Sequence, residues 1–260
     1  RPGEGDAYHN RCMSMVKVLS EYILSLGQEA YIPNFFCKAY RPVLYIPSKE
    51  EVKELLQKMD IRTSHNSEQF RLDRECKILF LLYFCCGLRL SEGRLLKWEH
   101  IDLDKGILTV LGSKGNKDRL VYLPQDSLPV LKNYKERQEM LFPGIDWAFP
   151  GKDPHKPVSC SGVESSFNRH WAMLPVAKTV DKHPTPHCLR HAFVVERFNE
   201  WMHQGIDTNT MLPYLSRYLG HKSPDETYYY YHLAEKAFDT IREKDSVSGK
   251  VIPEVIPYEE

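Results

Sequence analysis

Apolar positions recur every three or four residues through most of the chain, and this period predicts a mainly helical protein. The longest apolar run, Ile78 to Leu88, is shorter than the about 18 residues of a membrane-spanning helix and indicates a buried core helix. The first residues have no signal-peptide pattern. The predicted helices lie at about 8–26, 48–59, 71–86, 91–97, 126–140, 160–172, 187–203, 208–219 and 225–241.

Residues that commonly start or break helices support this division. Ser48, with Glu51 three residues later, has the form of a capping box. Ser91 is expected to cap the short fourth helix, and Pro186 to start the seventh, because proline is favoured in the first turn. Pro224 breaks the segment after the eighth helix, so that segment is not one continuous helix.

The period changes in one region, at Gly106 to Leu111 and Arg119 to Leu123. These β-rich runs flank the polar, glycine-containing segment Ser113 to Asp118, which predicts an antiparallel hairpin. Residues 30–47 hold three prolines and are expected to form a linker. The predicted fold class is therefore α+β, mainly α with a small antiparallel β-sheet, preceded by the last helix of another unit.

Composition excludes little, but the distribution of charge is informative. Hydrophobic residues make up 42% and charged residues 27%, as in ordinary globular proteins. The net charge is zero, which argues mildly against a nucleic-acid binder. However, residues 105–119 hold four basic residues and one acid, whereas residues 243–260 hold five acids and two bases. A phosphate backbone responds to such local charge more than to the total.

The seven cysteines show no C-x-x-C spacing, which is typical of zinc sites and redox motifs. Free thiols in a reducing cytoplasm are therefore expected. The adjacent pair Cys85 and Cys86 lies in the longest apolar run and is expected only to pack.

Arg89 lies between two leucines in the segment GLRLSE, at 87–92. A guanidinium held there is costly unless an anion or a carboxylate pairs with it, and Glu92 could be that carboxylate. A structural ion pair is the ordinary interpretation. The functional one is a bound phosphate, because a guanidinium meets two phosphate oxygens at once.

His187 and Arg190 share one face of a predicted helix at its N-terminus, an end that favours anions. Two alternatives to an anion site stay open. His187 and His191 have the spacing of zinc ligands, but the glutamate of the H-E-x-x-H motif is lacking. A core histidine beside a surface arginine would also give this pattern.

Three further candidates could equally have purely structural roles. Lys114 lies at the hairpin tip, where lysines are usually just solvated, although a mobile tip could bring its ammonium to a leaving oxygen. His221 follows a predicted helix end, a usual place for a capping or core histidine. Tyr230 is one of four consecutive tyrosines, which usually pack with their hydroxyls at the surface.

In order and spacing, these residues resemble the motifs of the tyrosine recombinase (phage integrase) family. The resemblance runs from Pro47 to about Arg242, and four boxes in the right order make it specific. GLRLSE is similar to the family's first arginine box, GSKGNKDR (112–119) to its GKGxKxR hairpin, HCLRH (187–191) to its HxxRH box, and LGH (219–221) with TYYYYH (227–232) to its terminal motif. It implies the catalytic-domain fold of that family.

The resemblance also implies a reaction, in which DNA strands are cut and rejoined without metal, ATP or any other cofactor. Tyr230 would attack a backbone phosphorus and form a 3′-phosphotyrosine. Arg89 and Arg190 would hold the non-bridging oxygens. Lys114 would protonate the 5′ leaving oxygen.

The remaining site residues follow from the same resemblance. His187 would act as a base or hydrogen-bond partner toward the tyrosine and the phosphate, and His221 would donate to a phosphate oxygen. Glu92 is expected to support the first arginine, and Lys117 and Arg119 are expected to bind DNA.

Neighbouring residues leave two of these assignments open. Lys117 lies close to Lys114 and could take its place. Tyr229 and Tyr231 are rivals of Tyr230, and only one or two of four consecutive helical side chains can face the same phosphate.

The expected domains are 1–46, the last helix of a truncated DNA-clamping domain plus a linker; 47–242, the catalytic domain; and 243–260, a tail suited to exchange between subunits. The expected partners are a double-stranded DNA recombination site, further copies of the chain in a tetramer, and an accessory directionality protein, with no membrane. The expected role is integration or excision of a mobile element by a bacterial or phage-encoded cytoplasmic protein associated with the nucleoid.

Three other functions remain as alternatives. A type IB topoisomerase shares the chemistry but relaxes DNA as a monomer. A regulatory DNA-binding protein that has lost catalysis is a second, although every expected catalytic position is filled. A metal-dependent nuclease is a third, and activity in a chelator would exclude it.

Overall fold

The structure is a computed structural model that describes residues 4–34, 36–37, 45–62, 65–113, 117–180 and 183–230. The chain divides into two compact units, one ending at Leu44 and the other starting at Tyr45. In the described part, none of the helices is both long and apolar enough to cross a membrane. All seven cysteines are free thiols, as predicted.

The first unit contains one long helix, α1 (Glu4–Ser25). The Asn10 side chain fixes the chain that follows it, donating to the Cys37 carbonyl at 2.7 Å and accepting from the Cys37 amide at 2.8 Å. Many of the large apolar side chains of this helix are exposed, including Met15 and Tyr22.

The second unit is built around a central buried helix, α3 (Ser67–Cys86). It packs against α2 (Lys49–Lys58), α6 (Cys160–Trp171) and α7 (His187–His203). The buried rings of Phe80, Phe167 and Trp171 stack or meet edge to face between α3 and α6. The remaining helices are α4 (Leu90–Arg94), α5 (Leu128–Leu141), α8 (Thr208–Leu219) and α9 (Asp225–Tyr228).

The sheet has three antiparallel strands in the order β1 (Ile101–Asp102), β2 (Ile107–Ser113), β3 (Lys117–Tyr122). β2 and β3 form the predicted hairpin, which confirms the fold class. β1 was not predicted, because two residues are too short for an alternating pattern to be recognised. The pairing of β2 with β3 becomes irregular between Val110 and Ser113, just beyond the pair formed by Val110 and Arg119.

Two helix predictions need correction. Ser91 does not cap the fourth helix: it lies inside α4, whose N-cap is Arg89. That helix ends at Arg94, and a 3₁₀ turn at Trp98–His100 follows it. The capping box at Ser48 and Glu51 is confirmed.

The other boundaries agree more closely with expectation. The helices predicted at 187–203 and 208–219 have those bounds. α9 begins after Pro224, so the segment before Tyr230 is not one continuous helix, as predicted. In the described residues this helix ends at Tyr228, and Tyr229 and Tyr230 form a turn, so the helix predicted at 225–241 ends earlier than expected. Residues 231–241 of that prediction, and the tail at 243–260, lie outside the described residues.

Candidate active site

The start of α4 joins Arg89 to Glu92. Glu92 is the third residue of the helix, and its Oε2 accepts from the Arg89 backbone amide at 2.7 Å. Its Oε1 accepts from Arg89 Nη1, also at 2.7 Å, so one carboxylate both caps the helix and pairs with the guanidinium. The Glu92 side chain is only 5% exposed. The ion pair considered from the sequence is therefore present.

Arg119 reaches the same carboxylate from strand β3. Its Nη1 and Nη2 donate to the two oxygens of Glu92 at 2.8 and 2.7 Å, the two-pronged geometry that makes such pairs strong. The Arg119 side chain is 9% exposed. The structure therefore does not support the expectation that Arg119 binds DNA directly, because its guanidinium is committed inside the protein.

Arg190 lies on α7 and is buried. Its Nη1 donates to the Gly87 carbonyl at 2.5 Å, and its Nη2 donates to the Leu219 carbonyl at 2.8 Å. Nη1 lies 3.8 Å from the Glu92 carboxylate. A buried arginine held by carbonyls at two helix ends excludes the alternative of a surface arginine beside a core histidine.

The C-terminal end of α8 holds all three of these arginines, which we call the arginine cluster. The last carbonyls of a helix have no partner within it and carry the negative end of its dipole, so they favour cations. Three consecutive carbonyls each accept from one arginine at 2.6–2.8 Å: Tyr218 from Arg119, Leu219 from Arg190, and Gly220 from Arg89.

Glycines make the two helix ends possible. Gly87 ends α3 and Gly220 ends α8, with φ values of +63° and +67° that other residues rarely adopt. A Cβ at Gly220 would stand 3.2 Å from Arg119 Nη1 and 3.4 Å from Arg89 Nη1. Glycine there serves both the turn and the close approach of the arginines.

The cluster carries excess positive charge. Three guanidiniums face one carboxylate, which gives a formal charge of +2. Burial alone would raise the pKa of Glu92, but hydrogen bonds from Arg119 and Arg89 outweigh it and lower the pKa to about 2. Arg89 uses two of its five N–H groups in contacts with described residues, which leaves three for an anion. The site is thus arranged to accept a negative group.

His221 follows Gly220 directly. Its Nε2 lies 3.1 Å from Arg190 Nη2, which can only donate, so Nε2 accepts and Nδ1 carries the hydrogen. Nδ1 then donates to Thr227 Oγ1 at 2.6 Å. Burial and the charge of Arg190 lower the pKa of His221 to about 4, so the ring is neutral at pH 7.

Tyr230 stands next to the cluster and points at a histidine. Its hydroxyl donates to His191 Nδ1 at 2.5 Å, and burial raises its pKa to about 12 although Arg190 acts in the opposite direction. The His187 ring meets the His191 ring edge to face, with 4.6 Å between centroids. Partial desolvation and the charge of Arg190 lower the pKa of His187.

The structure therefore brings together seven of the residues singled out from the sequence: Arg89, Glu92, Arg119, His187, Arg190, His221 and Tyr230. Tyr229 is 42% exposed, and the third candidate nucleophile, Tyr231, lies outside the described residues. So do Lys114, which stands between the end of β2 and the start of β3, and the side chain of Lys117.

Sequence reasoning missed two roles. It considered His191 only as a zinc ligand, whereas the structure places it on the phenol. Within the described residues, no group of three or more histidines, cysteines or acidic residues could hold a metal ion. It also missed Arg119 as a partner of Glu92, for which no local signal exists because the two residues are 27 positions apart.

Comparison with known proteins identifies the family of the chain. The model of the phage integrase family matches residues 48–237. The putative integrase/recombinase y4rB of Sinorhizobium fredii is 29% identical, over 84% of this chain and 71% of that protein. The tyrosine recombinase XerA of Pyrococcus furiosus is 31% identical, over 73% of this chain and 57% of that protein.

Solved structures share the fold. The XerH site-specific recombinase, in a post-cleavage complex with its palindromic difH substrate, superposes with a TM-score of 0.64 at 21% identity. The match covers 87% of this chain but 64% of the XerH chain, so this chain spans less than two thirds of XerH, as it does of XerA. The family match covers well over half of the sequence. The chain belongs to the phage integrase family, and its enzyme class, the tyrosine recombinases, is the one that the sequence motifs predicted.

Proposed function

We propose that this chain is the DNA-cleaving and DNA-joining part of a site-specific recombinase that acts through a 3′-phosphotyrosine at Tyr230. One observation carries the proposal. A partly buried cluster with a formal charge of +2 lies beside a phenol whose hydroxyl is hydrogen-bonded to a neutral imidazole. A phosphodiester needs cations in fixed positions and a nucleophile next to them, and both are present.

In this proposal, Arg89 and Arg190 hold the non-bridging oxygens of the scissile phosphate. Charge-assisted hydrogen bonds of this kind contribute about 1.5–3 kcal/mol each. Glu92, which Arg119 holds by two hydrogen bonds, accepts from Arg89 and fixes its guanidinium, so little reorganisation is needed when the phosphate binds. Preorganised charge of this kind is generally the largest contribution to catalysis of reactions that build up negative charge.

His221 is proposed to donate to a phosphate oxygen. In the free protein its Nε2 accepts from Arg190, so donation from that atom requires a proton or the other tautomer. A bound phosphate offsets the positive charge of the arginine cluster, which raises the pKa of the imidazole and favours that change. His187, exposed at the first turn of α7, is proposed to face the phosphate as well.

The chemistry balances without an external energy source. The Tyr230 hydroxyl gives its proton to a base and its oxygen forms a bond to phosphorus, while the bond from phosphorus to the 5′ oxygen breaks. The 5′ oxygen takes a proton, which we assign to Lys114, or to Lys117 if the two exchange roles. Because the phosphotyrosine keeps a phosphate ester bond, attack by a 5′ hydroxyl reverses the step, and no ATP is required.

Double-stranded DNA is the proposed substrate. The sequence from 105 to 119 holds four basic residues, of which Arg119 pairs with Glu92, and XerH is described in complex with its difH substrate. We further propose that the first unit ends a DNA-clamping domain, and that the chain acts as a tetramer with exchanged tails. An accessory directionality protein and a mobile-element role belong to the same proposal, the latter supported by relatives named as integrases.

The decisive test is a covalent trap. The chain is incubated with a chelator and without ATP. The substrate is a pool of duplexes that carry a nick close to randomised cleavage positions, so that the short fragment with the free 5′ hydroxyl diffuses away after cleavage and rejoining is prevented. We expect a DNA adduct on Tyr230 by peptide mass, lost in Tyr230→Phe and retained in Tyr229→Phe. An adduct on another residue, or none with the wild-type chain, would refute the proposal.

The same preparation separates the recombinase from a topoisomerase. We expect it to leave supercoiled plasmid unrelaxed as a monomer and to rejoin strands between two copies of the trapped site. Efficient relaxation by the monomer, without strand exchange, would favour the topoisomerase alternative.

A further inference from the structure

The hydroxyl of Tyr230 is held by a residue that the proposed reaction leaves without a role. It donates to Nδ1 of His191 at 2.5 Å. The ring of His187 packs edge to face against the ring of His191. We infer that His191 is the general base that takes the proton of Tyr230 when this tyrosine attacks the phosphorus. This inference rests on the proposed function, because it concerns the same reaction.

The position of His191 on the helix suits this role. It follows Arg190 directly on α7, and consecutive helical side chains point about 100° apart. One turn of a rigid helix therefore presents a guanidinium to the phosphate and an imidazole to the phenol. His191 is 8% exposed, so little water competes for its lone pair.

The direction of the hydrogen bond follows from the chemistry of the two groups. A neutral imidazole has one nitrogen that donates and one that accepts. Burial, followed by the neighbouring His187, Arg190 and His221, lowers the pKa of His191 to about 3, so its ring is neutral at pH 7. Nδ1 accepts from the phenol, and Nε2 carries the hydrogen.

The same charges keep the nucleophile inactive until DNA binds. With the pKa of Tyr230 at about 12 and that of His191 at about 3, the proton stays on the tyrosine in the free protein. A phosphate between Arg89 and Arg190 offsets the positive charge that lowers the pKa of His191, so the base becomes stronger when the substrate arrives. The phenol loses its proton to Nδ1 as the bond from its oxygen to phosphorus forms.

The reverse reaction uses the same proton. After cleavage, His191 carries hydrogens on both nitrogens and faces the ester oxygen of the phosphotyrosine. When the 5′ hydroxyl attacks the phosphorus, the departing phenol oxygen takes the proton back from Nδ1. One imidazole thus serves as base for cleavage and as acid for joining, as a reversible mechanism requires.

A single-turnover cleavage assay on the trapped substrate tests the inference. His191→Ala is compared with His191→Gln, whose amide fills similar space and can accept a hydrogen bond but cannot take a proton. His155→Ala is the matched control, because it removes an exposed imidazole far along the chain from the site. We expect both His191 variants to slow cleavage by about 10²–10⁴-fold, the usual range for a general base. DNA affinity should change little, and His155→Ala should cleave normally.

Two further readouts separate proton transfer from a purely structural effect. Added imidazole should restore part of the rate in His191→Ala but not in His191→Gln, where the cavity is filled. A substrate with sulfur in place of the 5′ bridging oxygen should not restore either variant, because this leaving group removes the need for an acid and not for a base. That substrate should restore Lys114→Ala.

The outcomes are distinguishable. Cleavage by folded His191→Gln within about threefold of wild type would overturn the inference, and a faster rate would indicate that the hydrogen bond merely restrains Tyr230. Full restoration by the sulfur substrate would also overturn it. If the wild-type chain forms no adduct on Tyr230, the proposed function itself fails, whatever the His191 variants do.

Discussion

The Glu92→Gln substitution removes one negative charge from the centre of the arginine cluster with almost no change in shape. The side chain is 5% exposed, so solvent cannot replace the lost charge. Its pKa falls from 4.5 to about 2 in the folded protein, which corresponds to about 3 kcal/mol of stabilisation at neutral pH. Removing one partner of a buried ion pair generally costs about 3–5 kcal/mol, which agrees with this value.

Urea unfolding at pH 7, followed by tryptophan fluorescence, measures the effect. Glu99→Gln is the matched control: its carboxylate is 66% exposed and lies 3.6 Å from Lys97, so we expect a loss of less than about 1 kcal/mol. Because the folded pKa of Glu92 is depressed, its contribution is complete above pH 4.5 and disappears as the pH falls toward 2. The difference between wild type and Glu92→Gln should therefore shrink below pH 4.5. A loss at pH 7 no greater than that of Glu99→Gln would show that the cluster does not depend on this carboxylate.

Three further predictions concern other parts of the molecule. Gly220→Ala and Gly205→Ala both place alanine at a positive φ and should each lower the free energy of unfolding by about 1–2 kcal/mol. Only Gly220→Ala, whose Cβ meets Arg119, should also abolish DNA cleavage, and equal cleavage by the two variants would contradict this. The pKa of His191 lies below its usual 6.5, so its contribution to the free energy of unfolding is complete above pH 6.5 and should fall by about 2 kcal/mol by pH 5. If His191→Gln showed the same pH dependence of stability as the wild type, this assignment would be wrong. Deletion of 243–260 should reduce tetramer formation in light scattering more than DNA binding in mobility shifts, and equal loss of both would argue against tail exchange.

The motifs of the sequence were enough to predict the family and the fold class, and they pointed to most of the described residues that meet at the site. Local patterns carried this information, since helical periodicity, the capping box at Ser48 and the turn residues act within a few positions of one another. The order of the four sequence motifs along the chain identified the family. The one strand that was missed, β1, is two residues long and exists only because β2 provides its hydrogen-bond partners.

Several predictions from the sequence concern segments that the structure does not describe. Three statements therefore stay predictions: the role of Lys114, the alternative of Tyr231 as nucleophile, and the exchange of the tail at 243–260. For Tyr230 and Tyr229 the structure does add a difference, because the first is hydrogen-bonded within the site and the second is 42% exposed.

The sequence by itself determined which side chains are available for chemistry, and in which elements they stand. Only the tertiary structure decided which of these side chains bind one another and which stay available for a substrate. Arg119 was expected on DNA, but α8 and α4 place a carbonyl and a carboxylate within its reach, so it belongs to the interior. His191 stands next to Arg190 in the sequence, yet its partner is a phenol 39 positions away. Pairings of this kind depend on which backbone carbonyls and charges come together when helices pack, and a local sequence pattern cannot predict them.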